Sequence, residues 1–345
     1  MTESQELHEL REAIAGLREE IEGRWMRSGA PPADEDPEGA VGAARGEREA
    51  PGVLDGLAAE IRARASEVDW LGLFNELRRR FAGFGIAEGG TEIDDFGLDP
   101  AYLEQRRGWL DFLFERWWRI ETAGTELIPS GERLLFVSNR SGVLPYDGLM
   151  IAHAVERAAG AESRPRFLVA DWLLGVPFSA GLLSRLGGVR ACAENAERLL
   201  RTGRHVIAFP EGQKGALKPF SDRYQLQRFA RGGFVSIAVR ERATIVPVAV
   251  VGAEEVHPIL FQSSFAERLL GVPLPVTPTF PWLGPLGLVP LPSRWRIRFG
   301  APIRFADVPP ECAADPLYVN RTREIVRGTV RTLLEQEVRG RSSVF

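Results

Sequence analysis

Short apolar runs alternate with longer amphipathic segments from about residue 130 to the end of the chain. The runs are rich in β-branched and aromatic residues and are typical of buried strands: RLLFVSN (133–139), RPRFLVA (164–170), HVIAFPEG (205–212), TIVPVAVVG (244–252) and RWRIRFGAPI (294–303). The segments between and after them have helical spacing of apolar residues: the stretch after Asp147, 195–203, 232–243 and 316–338. Alternating strands and helices predict an α/β fold with a largely parallel sheet flanked by helices.

The N-terminal third has a different pattern and predicts a helical extension. Residues 1–27 predict one helix, because apolar residues recur at steps of three and four: Leu7, Leu10, Ile14, Leu17 and Ile21. This seam predicts either a homo-oligomer formed through residues 7–21 or packing on the rest of the chain. Residues 28–52 are rich in Gly, Ala, Pro and acidic residues, which predicts a disordered linker. Residues 53–120 predict accessory helices, and 121–345 the α/β domain.

The second accessory helix, at 100–120, is heavily aromatic. It carries Trp109, Phe112, Phe114, Trp117 and Trp118. Such residues suit a membrane interface, but they equally suit the packed face of a helix, which is the interpretation we favour.

Charge and composition exclude several classes of protein. A net charge of −4 and a pI near 5.8 argue against nucleic acid as a partner. Cys192 and Cys312 have no partners at metal-ligand or redox-motif spacing, which predicts idle thiols in a reducing compartment and no metal site. The first twenty residues are charged throughout, so no signal peptide is expected and the predicted location is cytoplasmic.

The longest uncharged run, at 269–293, is long enough to cross a bilayer but carries seven prolines. Each proline removes a backbone N–H and clashes with the preceding turn, so a continuous helix is excluded. We expect this apolar segment to contribute to an acyl pocket or to a membrane-contact face.

Candidate chemistry lies where predicted strands end. In VSNRSGVLPYDGLM (137–150) a strand runs into a helix through a turn that holds Arg140 and Asp147. The turn after Phe209 holds Glu211, Gly212 and Lys214. The carboxyl ends of parallel strands meet at one sheet edge, where ligands of such folds bind. A carboxylate, an ammonium group and exposed backbone N–H groups together suit a polyol phosphate.

Four blocks in order give this pattern a family resemblance. SNRSGVLPYDG resembles the first motif of bacterial lysophospholipid/glycerol-3-phosphate acyltransferases (PlsC-like), whose pattern is Asn-His-Ser-Gly-x-Leu-Pro-x-Asp. GGVRACAENAERLL (187–200), FPEG (209–212) and IVPVAVVGAEE (245–255) resemble the second, third and fourth. The resemblance covers roughly residues 115–305.

The resemblance implies transfer of a fatty acyl group from acyl-CoA or acyl carrier protein to a glycerol phosphate or lysophospholipid hydroxyl. The thioester is a co-substrate, and no cofactor is implied. A motif-one His would take the hydroxyl proton and Asp147 would orient it. Glu211 and Gly212 would hold the acceptor, with Arg190 and Lys214 as phosphate contacts. The implied location is peripheral, on the inner face of the membrane.

Arg140 departs from the family pattern, because it stands where the family has the catalytic His. Its guanidinium cannot accept a proton near neutral pH, so it cannot be a general base. Positioning alone leaves a slow enzyme possible, and His257, after the fourth block, is a candidate substitute base. Arg140 could also clamp a phosphate or pair with Asp147. A catalytically silent lipid-binding or scaffold protein of the same fold is therefore the alternative to an enzyme.

Overall fold

The structure is a computed structural model that describes residues 93–175, 179–230, 232–263, 274–279, 287 and 289–341. The chain divides into two compact units, Met1–Val68 with Gln262–Leu274, and Asp69–Phe261 with Pro275–Phe345. The second unit contains the large sheet. The predicted helix at 1–27, the linker at 28–52, the accessory helices before residue 93 and most of the proline-rich segment lie outside the described residues.

A seven-stranded sheet forms the framework of the second unit. Its strands are Glu121–Ala123 (β1), Leu134–Ser138 (β2), Arg166–Val169 (β3), Gly188–Arg190 (β4), Val206–Ala208 (β5), Thr244–Val251 (β6) and Arg296–Phe299 (β9). Their order across the sheet is β1-β9-β6-β2-β5-β3-β4. Neighbouring strands are parallel except at β6–β9, where the pairing is antiparallel. The prediction of a largely parallel sheet is confirmed. Phe261–Ser263 (β7) and Leu274–Val276 (β8) form a separate two-stranded sheet.

Helices flank the sheet, as the alternating pattern predicts. They are Pro100–Phe112 (α1), Tyr146–Ala159 (α2), Asp171–Leu174 (α3), Ser179–Arg185 (α4), Ala193–Arg201 (α5), Gly212–Ala216 (α6), Gly233–Arg240 (α7) and Pro316–Arg339 (α8). Two of them begin with a capped proline turn: Asp99 accepts from the N–H of Tyr102, and Asp315 from that of Leu317.

The central strands β2 and β6 are buried along their whole length. Strands buried on both faces of a sheet have continuous apolar sequences, so the sequence pattern predicts them clearly. One face of the sheet packs on α1 and α2, and the other packs on α5, α7 and α8. A sheet so covered leaves its strand ends as the places where polar side chains can meet a ligand.

The aromatic segment after residue 100 belongs to the core of the sheet domain. A five-residue π-helix, Leu113–Trp117, continues α1. Trp109, Phe114, Trp117 and Trp118 are buried in the same cluster as β2 and β6, and Trp118 stacks on Trp295 with ring centroids 4.5 Å apart. Burial of these rings supports the packed interpretation and leaves them unavailable to a membrane interface. In the described part of the chain, no helix is long and apolar enough to cross a bilayer.

Candidate functional site

The ends of β2, β5 and β6 meet at the carboxyl edge of the sheet. Asn139, just after β2, donates from Nδ2 to the carbonyl of Val250 (2.9 Å) and accepts the N–H of Val250 at Oδ1 (2.8 Å). These two hydrogen bonds fix the turn between β2 and α2, which we call the first turn, against β6. The backbone N–H of Arg140 then donates to Oε1 of Glu211 in the turn after β5 (2.7 Å). The predicted convergence of these turns is confirmed.

Arg140 and Asp147 form a buried ion pair across the first turn. Nη1 of Arg140 lies 2.6 Å from Oδ1 of Asp147, and the carboxylate is fully buried. Oδ2 accepts the N–H of Ser141 (2.9 Å) and Oδ1 also accepts that of Gly148 (2.8 Å). Asp147 is the second residue of α2 and does not cap it; the N-cap is Pro145. The two residues predicted as catalytic, Arg140 and Asp147, thus form an ion pair with each other.

Burial of Asp147 disfavours the charged form of its carboxyl group. It raises the pKa of the Asp147 carboxyl, while the Arg140 guanidinium and the N–H groups of Ser141 and Gly148 act in the opposite direction. The guanidinium also donates from Nη2 to the carbonyl of Val143 (3.2 Å) and lies over the Phe209 ring, 4.9 Å from its centroid. Its orientation is therefore fixed from three sides.

Glu211 joins the turns rather than facing solvent. Its side chain is buried, and its two oxygens accept backbone N–H groups of Arg140 (2.7 Å) and Gln227 (2.6 Å). Burial raises the pKa of Glu211 to about 7, against the opposing effects of Lys218 and those two N–H groups. Glu211 is buried because the segment around Gln227 folds back over it.

Beside Glu211 lies a buried lysine, Lys218. Nζ of Lys218 is 2.8 Å from Oε1 of Glu254 and 4.0 Å from Oε2 of Glu211. Oε2 of Glu254 accepts the N–H of Tyr224 (2.7 Å). Glu254 comes from the fourth block, so this ion pair links the fourth block to the segment that follows the third. The two lysines of the chain are only four residues apart, but spacing does not reveal which of them is buried.

The predicted phosphate contacts, Lys214 and Arg190, lie outside this buried cluster. Lys214 is exposed on α6. Arg190 is exposed at the end of β4, where Nε and Nη2 both donate to the carboxylate of Asp171 at 2.8 Å. Their binding roles stay predictions. The arrangement does not bring either residue to the Arg140–Asp147 pair through any described contact.

Two glycines, Gly212 in the third block and Gly215 just after it, serve different purposes. Gly212 has φ of 59°, in the left-handed region, with open space around it. A Cβ on Gly215 would lie 2.6 Å from Cβ of Glu211 and 2.9 Å from Cβ of Arg140. The absence of a side chain at Gly215 therefore allows the first and third blocks to approach each other.

A cavity of about 320 Å³ opens at this edge of the sheet, and we call it the carboxyl-edge cavity. Arg140 and Phe209 form part of its wall, and most of its other lining is apolar, including Leu168, Leu173 and Ile237. Cys192 and Gln213 are polar members of the lining, whereas Lys214 and Arg190 do not line it. The cavity can accept an apolar chain with its polar end near the guanidinium.

A second apolar cavity of about 190 Å³ lies beside the first turn, and we call it the lateral cavity. Leu144, Pro145 and Tyr146 of that turn line it together with residues of α4. Leu173 lines both cavities. The first turn is thus bordered by apolar space on two sides.

Of the three histidines that the structure describes, two are paired away from the carboxyl edge and the third, His257, lies beside the first turn; its role as a substitute base stays a prediction. Nε2 of His153 lies 2.9 Å from Asp111, and Nδ1 of His205 accepts the N–H of Leu134 (3.3 Å), away from the carboxyl edge. His257 stacks on Tyr146 with ring centroids 6.0 Å apart. That contact brings His257 next to the first turn, but the carboxyl-edge cavity is lined without it.

Comparison with known proteins gives this site a family. The family model described as Acyltransferase matches residues 119–251, which include the first, second and third blocks and most of the fourth. An uncharacterized protein of Mycobacterium leprae (strain TN) is 44% identical over 259 residues, covering 74% of this chain and 71% of that protein. The chain belongs to the acyltransferase family.

Two further similarities concern proteins whose names state an activity. The acyltransferase-family chain is 35% identical over 79 residues to phytyl ester synthase 2, chloroplastic, of Arabidopsis thaliana, covering 23% of this chain and 11% of that protein. The crystal structure of PlsC from Thermotoga maritima, a 1-acyl-sn-glycerophosphate (LPA) acyltransferase, superposes with a TM-score of 0.42 at 16% identity. It covers 85% of this chain and 99% of that one.

Proposed function

We propose that this acyltransferase-family protein transfers a fatty acyl group from a thioester donor, acyl-CoA or acyl carrier protein, to a lipid hydroxyl. The observation that carries the proposal is the position of Arg140 on the wall of the apolar carboxyl-edge cavity. An acyl chain in that cavity or in the lateral cavity brings its carbonyl to the first turn. Family membership supplies the reaction class.

In this proposal Arg140 acts as a fixed positive charge. The acceptor oxygen attacks the thioester carbonyl, the C–S bond breaks, and the hydroxyl proton leaves with the departing sulfur. A guanidinium held by Asp147 and Val143 stabilises the negative charge that develops on the carbonyl oxygen. A general base usually contributes about a hundred- to ten-thousandfold in rate. We therefore expect slow turnover relative to an enzyme with an imidazole at this position.

The acceptor we propose is a glycerol phosphate or a lysophospholipid, with Gly212 and Lys214 on its phosphate side. An uncharged long-chain alcohol is a second acceptor class. It is favoured by the apolar lining of the carboxyl-edge cavity. It is also favoured by the bidentate ion pair of Arg190 with Asp171, because that pair occupies one of the predicted phosphate contacts. A partial relative named phytyl ester synthase is consistent with that class.

A second candidate function is lipid binding without turnover. It is favoured by the Arg140–Asp147 pair, because the two side chains are bound to each other. In that state neither group is available to accept a proton from the substrate. The apolar cavities would then hold an acyl chain without transferring it. Binding of the chain is common to both candidates, so turnover is the property that separates them.

The test measures thiol release from long-chain acyl-CoA and from acyl carrier protein thioesters. Wild type is compared with Arg140→His and Arg140→Lys, each corrected for its folded fraction by circular dichroism. Glycerol 3-phosphate, a lysophospholipid and hexadecanol serve as acceptors. We expect slow, acceptor-dependent release in wild type. If none of the three proteins releases thiol with any acceptor, the enzyme proposal fails and lipid binding remains.

We also propose that the protein acts at a membrane surface, on the cytoplasmic side, with the proline-rich segment as a contact. Its residues Trp282 and Leu286 are apolar, and a folded Trp282→Ser/Leu286→Ser variant should co-sediment less with phospholipid vesicles than wild type. Equal co-sedimentation removes this segment as the contact. The effect of the residue 7–21 seam on oligomeric state is separately testable by light scattering of a Leu10→Glu/Leu17→Glu variant.

A further inference from the structure

The segment 219–230, which we call the covering loop, folds back over the buried carboxyl group of Glu211. The backbone N–H of Gln227 donates to Oε2 of Glu211 (2.6 Å), and that of Ala230 donates to the carbonyl of Pro210 (2.8 Å). Ala230 also lines the carboxyl-edge cavity. The covering loop thus holds the turn after β5 at two successive residues and forms part of the cavity wall.

Tyr224 lies in the middle of the covering loop and has a strained backbone. Its φ is 65°, in the left-handed region that residues other than glycine rarely adopt. Such a conformation persists only where the surrounding structure holds it. Here the backbone N–H of Tyr224 donates to Oε2 of Glu254 (2.7 Å), and its hydroxyl donates to Oε1 of Glu255. The two acids are neighbours in a 3₁₀ turn of the fourth block, Ala253–Glu255.

Arg341, which follows α8, binds both the tyrosine and the second acid. Its Nη2 donates to Oε2 of Glu255 (2.5 Å) and to the carbonyl of Arg294 (2.7 Å). Its Nη1 donates to the hydroxyl oxygen of Tyr224 (2.5 Å) and to Oε1 of Glu255. The side chains of Arg341 and Glu255 are only 7% and 2% exposed, so the pair is shielded from water. Arg341 therefore supplies the cation of a buried, charge-assisted cluster that holds Tyr224.

Hydrogen bonds and a short piece of chain lead from this cluster to the first turn. Gln227 is three residues after Tyr224 and binds Oε2 of Glu211, whereas Oε1 of the same carboxyl group accepts the N–H of Arg140 (2.7 Å). Helix α8 contacts the loop a second time, because Nε of Arg327 donates to the carbonyl of Gln227 (3.3 Å). Displacement of the covering loop would therefore release the carboxyl group that positions the backbone of Arg140.

We propose that Arg341 is a positioning residue for the site. It holds the covering loop against Glu211 and thereby keeps the Arg140 guanidinium in place on the wall of the carboxyl-edge cavity. Arg341 is not part of the described lining of that cavity, so it acts through the loop rather than on the substrate. Its effect on turnover rests on the proposed function, whereas its effect on the covering loop does not.

Amide hydrogen exchange of the full chain, resolved to single residues by mass spectrometry, measures this effect on the loop. In Arg341→Ala the N–H groups of Gln227 and Arg140 should exchange about tenfold faster or more than in wild type, because the loop opens locally. Arg341→Lys keeps the charge and should restore part of the protection. The N–H of Val250 is bound to Asn139 instead and reports the general stability. An equal acceleration at Val250 would show a merely structural role and overturn the proposal.

Arg339→Ala is the matched control, since Arg339 lies two residues earlier and its side chain is 83% exposed. Its exchange and its turnover should equal those of wild type. In the thiol-release assay, Arg341→Ala should lower kcat by about ten- to a hundredfold, with KM for the thioester changed by less than about threefold. Arg341→Lys should recover part of kcat. Faster exchange with an unchanged kcat in an active protein also overturns the proposal.

Failure of the proposed function gives a different result from failure of this inference. If wild type releases no thiol, the affinity for oleate, measured by calorimetry, replaces kcat: it should fall in Arg341→Ala and recover in Arg341→Lys. If Arg341→Ala does not fold, Tyr224→Phe removes only the hydroxyl that the arginine binds and should accelerate exchange at Gln227 and Arg140 by a smaller factor. Exchange at both amides equal to that of wild type in a folded variant overturns the proposal whatever the turnover.

Discussion

Nη1 of Arg140 lies 2.6 Å from Oδ1 of Asp147, and both side chains are buried. Removal of one member of a buried ion pair leaves the other charge uncompensated, which typically costs about 3–5 kcal/mol. We expect that loss in Arg140→Ala, measured by urea denaturation. In a double-mutant cycle, Arg140→Ala with Asp147→Ala should lose less stability than the sum of the single changes. Simple additivity would contradict the coupling.

Arg140→His tests whether the site retains the geometry of its family. Oδ2 of Asp147 lies only 2.9 Å from the main-chain nitrogen of Ser141, so the carboxylate is close enough to orient a short imidazole at position 140. A restored base should raise turnover by up to about a hundred- to ten-thousandfold over wild type. The same change combined with Asp147→Asn should lose most of that gain. A lower rate in Arg140→His than in wild type would indicate that the guanidinium itself is needed.

The raised pKa of Glu211 predicts a pH dependence of stability. The folded protein holds the proton up to about pH 7, whereas the unfolded chain releases it near 4.5, the ordinary value. The folded state therefore binds more protons between these values, and raising the pH lowers the free energy of unfolding by roughly 3 kcal/mol.

Urea denaturation at several pH values between 4.5 and 7.5 measures this effect. Glu211→Gln lowers stability at every pH, because its amide group opposes one of the two backbone N–H donors. It should nevertheless remove the downward slope that Glu211 contributes. Parallel slopes in the two proteins would show that other buried carboxyl groups, such as Glu254, carry the dependence.

The two lysines of the chain form a matched pair for separating structure from binding. Lys218→Ala leaves Glu254 buried without its cation and should destabilise the fold by about 3–5 kcal/mol. Lys214 is exposed, so Lys214→Ala should change stability by no more than about 0.5 kcal/mol. Any effect of Lys214→Ala should appear in the KM for a phosphorylated acceptor and not for hexadecanol. Equal stability losses in both variants would remove the assigned difference.

Substitution by alanine should have opposite effects on stability at Gly215 and at Gly328. Gly215→Ala places a methyl group 2.6 Å from Cβ of Glu211, which forces the first and third blocks apart and should cost at least about 1–3 kcal/mol. Gly328 lies inside α8 with open space around its Cβ position. Gly328→Ala should therefore stabilise the protein by about 0.5–1 kcal/mol. Thermal melting of both variants checks the signs.

The amino-acid sequence by itself determined five of the strands (β2, β3, β5, β6 and β9), the longer helices and the edge of the sheet where the motifs meet. Apolar runs such as 244–252 are informative because a strand covered on both faces tolerates few polar residues. The turns that follow β2, β5 and β6 then converge because parallel strands place their carboxyl ends together. The ordered motif blocks were enough to indicate the family.

Only the tertiary structure decided which polar groups of that edge are buried and which partner each has. The sequence places Glu211 in a turn but does not show its partners, and Gln227, sixteen residues away in the chain, supplies one of its two donors. The sequence does not show which of Lys214 and Lys218 is buried, whereas in the structure Lys218 forms the ion pair with Glu254. Burial and pairing depend on contacts between segments distant in the chain, whereas strand and helix patterns depend on neighbours. The charge state of the site is therefore set by the fold, and the location of the site by the sequence.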